Sequence, residues 1–235
     1  MLNNALVNHL HQFILFWNGK CACTTIKKFF IKSVDDQEGL NIKERDLHIY
    51  IMKYYLKNEE NQEEFLKQYK KIIVVRNPYS RLVSFFTNKF IINKEPVIVD
   101  KRKKAINPKD YNFEDLVKMV VETPAEFLEH HIAPQSLELE NIKFNSIIKM
   151  EKMSTEMKNE LLKHNIDINF NFGQKLGGHD TKYTEKKYSC FKINAGQFDL
   201  NNIPNYKLFY NKELAKLIQE YYINDFKKFH YSLIL

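Results

Sequence analysis

Residues 72–75 read Ile-Ile-Val-Val, β-branched at every position. A run with no polar face fits a strand buried on both sides, as in a parallel sheet. It ends in Arg76-Asn77-Pro78. Proline suits the first turn of a helix, where its missing N–H costs nothing. Leu82, Phe85, Phe86 and Phe90 then share one apolar face, and Arg81, Ser84 and Asn88 fall on another.

A second unit of this kind lies upstream. Residues 12–17, Gln-Phe-Ile-Leu-Phe-Trp, read as a short buried strand, and 18–23 as a loop. Residues 24–31 follow as a helix, with apolar positions at 26, 29 and 30. Strand–loop–helix units of this type open many nucleotide-binding α/β domains. The chain has 235 residues, 44% of them apolar, enough to build a core and to exclude general disorder. Six Gly and six Pro exclude collagen-like and linker-rich architectures. Three cysteines cannot form a disulfide framework, which points to a reducing compartment.

The rest of the chain is coarser. Residues 32–70 are polar and read as helical pieces, and 93–112 as a mobile surface loop. Residues 113–131 read as a helix interrupted near Pro124, 142–150 as a strand region and 155–164 as a polar-amphipathic helix. Residues 171–190 read as a loop, and 212–231 as one amphipathic helix. No internal repeat is present. The longest strongly apolar run near the N-terminus, Phe13 to Trp17, is far short of the ~20 residues a membrane span needs. No signal peptide is visible, so stable membrane insertion is not expected and the expected location is cytoplasmic.

Two segments carry chemistry. In Asn18-Gly19-Lys20-Cys21-Ala22-Cys23-Thr24-Thr25, a tight loop opens a helix and points backbone N–H groups at an anion. Lys20 adds a point charge, and Thr24 and Thr25 add hydroxyl donors. This is a phosphate cradle without the Walker A spacing, because Ile14 and Cys21 stand where that motif needs Gly and Ser or Thr. In the second segment, Arg76 at the carboxyl end of a parallel strand lies on the ligand side of an open α/β sheet. Its planar fork suits a phosphate, and Ser84 offers a hydroxyl eight residues on.

Together the two segments resemble the sulfotransferases that use 3′-phosphoadenosine-5′-phosphosulfate (PAPS). The first matches a Pro-Lys-x-Gly/Ala-x-Thr-type loop as Gly19 to Thr25. The second matches Arg-x-Pro-x-x-Arg-Leu-Val-Ser as Arg76 to Ser84. His131-Ile132-Ala133-Pro134-Gln135 resembles a stretch of the carbohydrate, Golgi-type branch. Phe144 to Met153 resembles the strand that follows it, and Tyr221 to Tyr231 resembles the closing Tyr-x-x-Asp-Phe-x-x-Phe-x-Tyr. Gly19 replaces the usual Pro, and Ser136-Leu137-Glu138 stand where that branch carries a cysteine pair. With no stem or anchor in view, a short cytosolic relative is expected.

The resemblance implies a three-layer, P-loop-like α/β fold with a central, mainly parallel sheet flanked by helices. It implies a single domain over 1–235. The PAPS-binding core spans about 12–90 and 142–153, and acceptor or lid segments about 32–70, 91–135 and 171–190. PAPS is the expected co-substrate and 3′-phosphoadenosine-5′-phosphate (PAP) the product. Lys20 is assigned to the bridging oxygen and departing 5′-phosphate. The backbone of Cys21, Ala22, Cys23 and Thr24, with the Thr24 and Thr25 hydroxyls, is assigned to the same phosphate, and Arg76 and Ser84 to the 3′-phosphate.

An acceptor hydroxyl needs a general base, and His is the commonest choice near neutral pH. His130 and His131 are adjacent, and on a helix they would point about 100° apart, so at most one is expected to face the site. His131 matches the family stretch and is the expected base, with Glu129, Asp46 and Glu44 as alternatives. No metal is expected, and no cluster shows metal-ligand spacing. The acceptor is a small molecule or glycan. A P-loop-like nucleotide kinase and a basic nucleic-acid-binding protein are the competing classes. The second rests on the formal net charge of +7 and the run Lys101-Arg102-Lys103-Lys104. Gly177 to Tyr183, with Lys182, Lys186 and Lys187, is expected to form a lid. Cys21 and Cys23 read as small loop fillers.

Overall fold

The computed structural model describes residues 5–55, 67–137, 139, 141–172, 183–184 and 189–235. In chain order its strands are β1 (Ala5–Asn8), β2 (Phe13–Trp17), β3 (Lys70–Val75), β4 (Ser146–Lys149), β5 (Tyr183–Thr184) and β6 (Ile203–Pro204). Its α-helices are α1 (Cys23–Ser33), α2 (Gln37–Leu40), α3 (Glu44–Tyr54), α4 (Pro78–Phe85), α5 (Phe113–Val121), α6 (Met153–Lys163), α7 (Lys212–Tyr221) and α8 (Ile223–Lys228). The chain divides into two compact units. One comprises Met1–Val75 and Ile142–Gly178, the other Arg76–Asn141 and His179–Leu235.

The first unit holds a four-stranded mixed sheet in the order β1-β2-β3-β4. β2, β3 and β4 run parallel, with Trp17 opposite Val74 and Val75 opposite Lys149, and β1 is antiparallel to β2. The fold is α/β. One face of the sheet, including Leu15, Trp17, Ile72 and Val74, packs with Phe29 and Phe30 of α1, Ile51 of α3 and Met157 of α6. The alternate residues Ile14, Phe16, Ile73 and Val75 are equally buried. Burial of both faces is the physical reason that 72–75 shows no polar alternation. Strand β1 escapes the sequence reading because it is four residues long and joins β2 through a turn that ends on Gln12 at φ 53°.

The second unit has its own core, built from Leu82, Phe85, Phe86, Phe90, Phe113 and Phe209 among others. Pro78 opens α4, and the Asn77 side chain caps it by accepting from Tyr79 N–H at 2.9 Å. The chain then widens into a π-helix over Phe86–Asn93. The segment expected as a loop over 93–112 holds no strand or α-helix past the end of the π-helix, and backbone bonds pin it at several points. Val97 and Ile106 exchange backbone bonds, and Lys101 N–H donates to Phe127 O at 2.8 Å. The buried Asp100 holds Arg102 at 2.8 Å, so the basic run sits on a pinned turn. The expected helix over 212–231 is two helices, because the chain breaks at Tyr222 between α7 and α8. The expected helix over 113–131 ends at Val121, with only a single 3-10 turn over Ala125–Phe127 beyond it.

Candidate functional site

The loop between β2 and α1 is built on two unusual backbone angles. Lys20 has φ 64° and Ala22 φ 57°, both in the left-handed region without being glycine. Such a residue costs roughly 1–3 kcal/mol and persists where surrounding structure holds it. Here α1 supplies that hold, since it buries Ile26, Phe29, Phe30 and Ile31. Each fully buried side chain of this size contributes roughly 1.5–3 kcal/mol, which outweighs two strained residues. Cys21 N–H donates to Asn18 O at 3.2 Å and closes the turn.

Ala22 precedes α1 and no side chain caps the helix. The first intrahelical bond runs from Ile26 N–H to Ala22 O at 3.0 Å. The amides of Cys23, Thr24 and Thr25 therefore lie before the helical ladder starts, at the positive end of the helix dipole. The cysteine thiols are turned inward, with Cys21 Sγ 3.6 Å from Gly19 O and Cys23 Sγ 3.3 Å from Asn18 O. Because β2 and β3 are parallel and in register, this loop leaves the sheet at its carboxyl edge. That is where α/β sheets bind ligands. Lys20, Cys21, Ala22, Cys23, Thr24 and Thr25 are thus one cluster. Thr25 is the most buried of its two threonines.

Arg76 directly follows the last residue of β3. Its Nε donates to Ser80 Oγ at 3.1 Å, and Ser80 is buried. Ser84, in the last turn of α4, is half-buried. Both backbone polar groups of Arg76 are held by Gln135. Gln135 Oε1 accepts from Arg76 N–H at 2.9 Å, and its Nε2 donates to Arg76 O at 2.7 Å. Arg81, placed on the polar face of the helix by its spacing, is instead 2% exposed. Its guanidinium donates to Ala133 O at 2.8 Å and His130 O at 3.4 Å. Buried Arg satisfies its donors on backbone carbonyls here, and only the tertiary structure shows those acceptors.

His130 and His131 are not on a helix and do not point apart. Their rings lie 3.9 Å apart, centroid to centroid, in a turn. Both Nδ1 atoms approach Glu129 Oε1, at 2.9 Å for His130 and 2.6 Å for His131. Glu129 Oε2 also accepts from His131 N–H at 2.8 Å. Burial opposes the charge on Glu129. The hydrogen bonds and charges of the two imidazoles outweigh it and hold the carboxyl well below the usual carboxylate range. When neutral, with Nδ1–H donated to Glu129, His131 carries its lone pair on Nε2, the form a general base needs. His131 is 26% exposed and His130 66%. The expectation that no cluster has metal-ligand geometry is also corrected. The ligand atoms of Glu129, His130 and His131 lie within 4.8 Å of one another, and they meet one another by hydrogen bonds.

The model of the sulfotransferase family matches residues 3–232, nearly the whole chain. The chain belongs to the sulfotransferase family. No curated protein and no solved structure matches it. In this sulfotransferase the cradle residues lie in the first unit, and Arg76, Ser84, Glu129 and His131 in the second. Of the alternative bases, Asp46 is exposed on α3 and the Glu44 side chain lies outside the described residues, as do Gly177 to Lys182, Lys186 and Lys187 of the expected lid. Ser80, Gln135 and Asp225 are the residues that reading by motif left without a role. No helix among the described residues is long and apolar enough to cross a membrane.

Proposed function

We propose that residues 1–235 act as one PAPS-dependent sulfotransferase domain that sulfates a hydroxyl of a carbohydrate acceptor, in the cytoplasm. The cradle carries this reading. Two left-handed non-glycine residues, Lys20 itself and Ala22, lead into an uncapped helix start, in a chain of this family. That arrangement suits a phosphate oxygen and its leaving charge. The sheet's connectivity supports the pairing of motifs, since the cradle follows β2, Arg76 follows β3, and β2 pairs with β3.

In the reaction the acceptor oxygen forms a bond to sulfur while the bond from sulfur to the 5′-phosphate oxygen breaks. The acceptor proton passes to Nε2 of His131, and PAP leaves. Lys20 and the amides of Ala22, Cys23 and Thr24 take up charge growing on the 5′-phosphate, with the Thr24 and Thr25 hydroxyls. Arg76 and Ser84 hold the 3′-phosphate. The transferred group, like a phosphoryl group, needs positioning and charge stabilisation more than covalent help. No step calls for a metal ion, and no nucleic-acid partner enters the reading.

Thermal denaturation tests it directly. PAP without metal should stabilise the protein clearly, by about 2.7 kcal/mol at a hundred times its Kd. ADP, and ATP with Mg²⁺, should do less at equal concentration. An equal response to ADP would count against the assignment and favour a nucleotide kinase.

A further inference from the structure

We propose that Gln135 and Asp225 are positioning residues that set the aim of Arg76. This inference rests on the reading of Arg76 as the 3′-phosphate ligand. Gln135 is fully buried, and both ends of its amide meet Arg76, at 2.9 and 2.7 Å, with Nε2 also donating to Asp225 Oδ2 at 3.4 Å. Bonding the N–H and the C=O of the same residue fixes its φ and ψ together. That in turn fixes the direction in which its side chain leaves the backbone. The Nε bond to Ser80 Oγ then restrains the guanidinium. Arg76 is in this way oriented before any ligand arrives.

Gln135 is held in turn by Asp225 of α8. This carboxylate is fully buried, accepting from Gln135 N–H at 2.7 Å on Oδ2. Its Oδ1 accepts from Ser136 N–H and Ser136 Oγ, each at 2.7 Å. Charge-assisted bonds of this length are about twice as strong as neutral ones. The residues just before Gln135 are pinned too, with Ile132 O accepting from Tyr222 at 2.6 Å and Ala133 O from Arg81 at 2.8 Å. A segment some ninety residues away in sequence from Asp225 thereby becomes a rigid mount for one side chain. If stability alone were served, an apolar contact would do as well. The amide instead supplies both an acceptor and a donor to the backbone of Arg76, which an apolar side chain of the same size lacks.

The test measures the ratio of PAP affinity to ADP affinity in the full chain. The wild type and Arg76→Ala come first. Wild type should prefer PAP and R76A should lose that preference. If wild type shows none, the 3′-phosphate reading of Arg76 fails, and this inference fails with it. Given that preference, Gln135→Met should lower the ratio roughly tenfold and leave ADP affinity within about twofold. In an R76A background it should change the ratio no further. Tyr221→Phe, which removes a half-buried bond to Thr123 O, should lower stability and leave the ratio unchanged. A Q135M protein that is less stable but keeps the wild-type ratio overturns the positioning role alone. Should Q135M fail to fold, Asp225→Asn reads the same ratio. It keeps the side-chain shape and weakens the acceptors that hold Gln135 and Ser136, so an unchanged ratio there overturns the proposal equally.

Discussion

Glu129 Oε1 lies 2.6 Å from Nδ1 of His131, so the imidazole is oriented by a carboxylate two residues before it. The same oxygen meets His130 at 2.9 Å. A carboxylate that fixes the tautomer of a neighbouring His is the arrangement of a general base and its orienter. A positioned base contributes typically 10²–10⁴-fold to rate. His131→Ala should therefore lower kcat by about 10²–10³-fold, and Glu129→Gln by about tenfold, with PAP affinity close to wild type. Steady-state kinetics with saturating donor check this. A His131→Ala protein that turns over like wild type removes His131 from the reaction.

Lys20 is one of the two left-handed positions of the cradle, with φ at 64°, and Ala22 is the other. A cation placed where charge develops acts on the transition state more than on the bound nucleotide. Lys20→Ala should cut turnover at saturating donor by about 10²–10³-fold and weaken PAP binding by less than tenfold. Single-turnover kinetics beside equilibrium titration separate the two. Weaker binding with unchanged saturated turnover would remove Lys20 from the leaving group.

Arg76 is a half-buried guanidinium tied to Ser80. Charged hydrogen bonds are worth about 1.5–3 kcal/mol, or roughly 10–150-fold in affinity. Arg76→Ala should weaken PAP by that factor and leave ADP, which lacks the 3′-phosphate, nearly unaffected. Competition binding with the two nucleotides is the measurement, and a PAP/ADP ratio equal to wild type refutes the contact.

Strands β2, β3 and β4, the loop that follows β2 and the opening of α4 were legible because local rules decide them. A β-branched run needs two buried faces, and Asn77-Pro78 is a helix start in any context. Other features depend on partners far away in sequence. Arg81 has the spacing of a solvent-facing residue, yet its acceptors lie 49 and 52 residues on. The His pair was assigned divergent directions on the assumption of a helix, but the chain leaves helical geometry after Val121 and passes Pro124. Gln135 and Asp225 are 90 residues apart, and no spacing rule joins them. The break at Tyr222 is equally invisible, since α7 and α8 continue one amphipathic pattern in sequence.

Asp36 anchors the segment that follows α1. Its Oδ1 accepts from Gly39 N–H at 2.9 Å and caps α2, while Oδ2 accepts from Tyr50 and Tyr55 at 2.8 and 2.7 Å. Burial works against its charge, but the bonds from Tyr55, Gly39 and Tyr50 win and hold its carboxyl below the ordinary value of 3.8. Burial, and then the carboxylate, push the Tyr50 phenol up to about 12 from 10.0. A depressed carboxyl supplies stability that is complete above its unfolded pKa and lost as pH falls through its folded value. A raised phenol supplies stability that is complete below pH 10.0 and lost as pH climbs toward about 12. Asp36→Ala should thus cost about 1–3 kcal/mol at pH 7, because two phenols and a helix start lose their acceptor. Urea denaturation of wild type and D36A should show that gap closing below about pH 4 and closing again above pH 10.0. A gap that stays constant from pH 7 to pH 2 would mean that the carboxylate charge contributes nothing to the anchor.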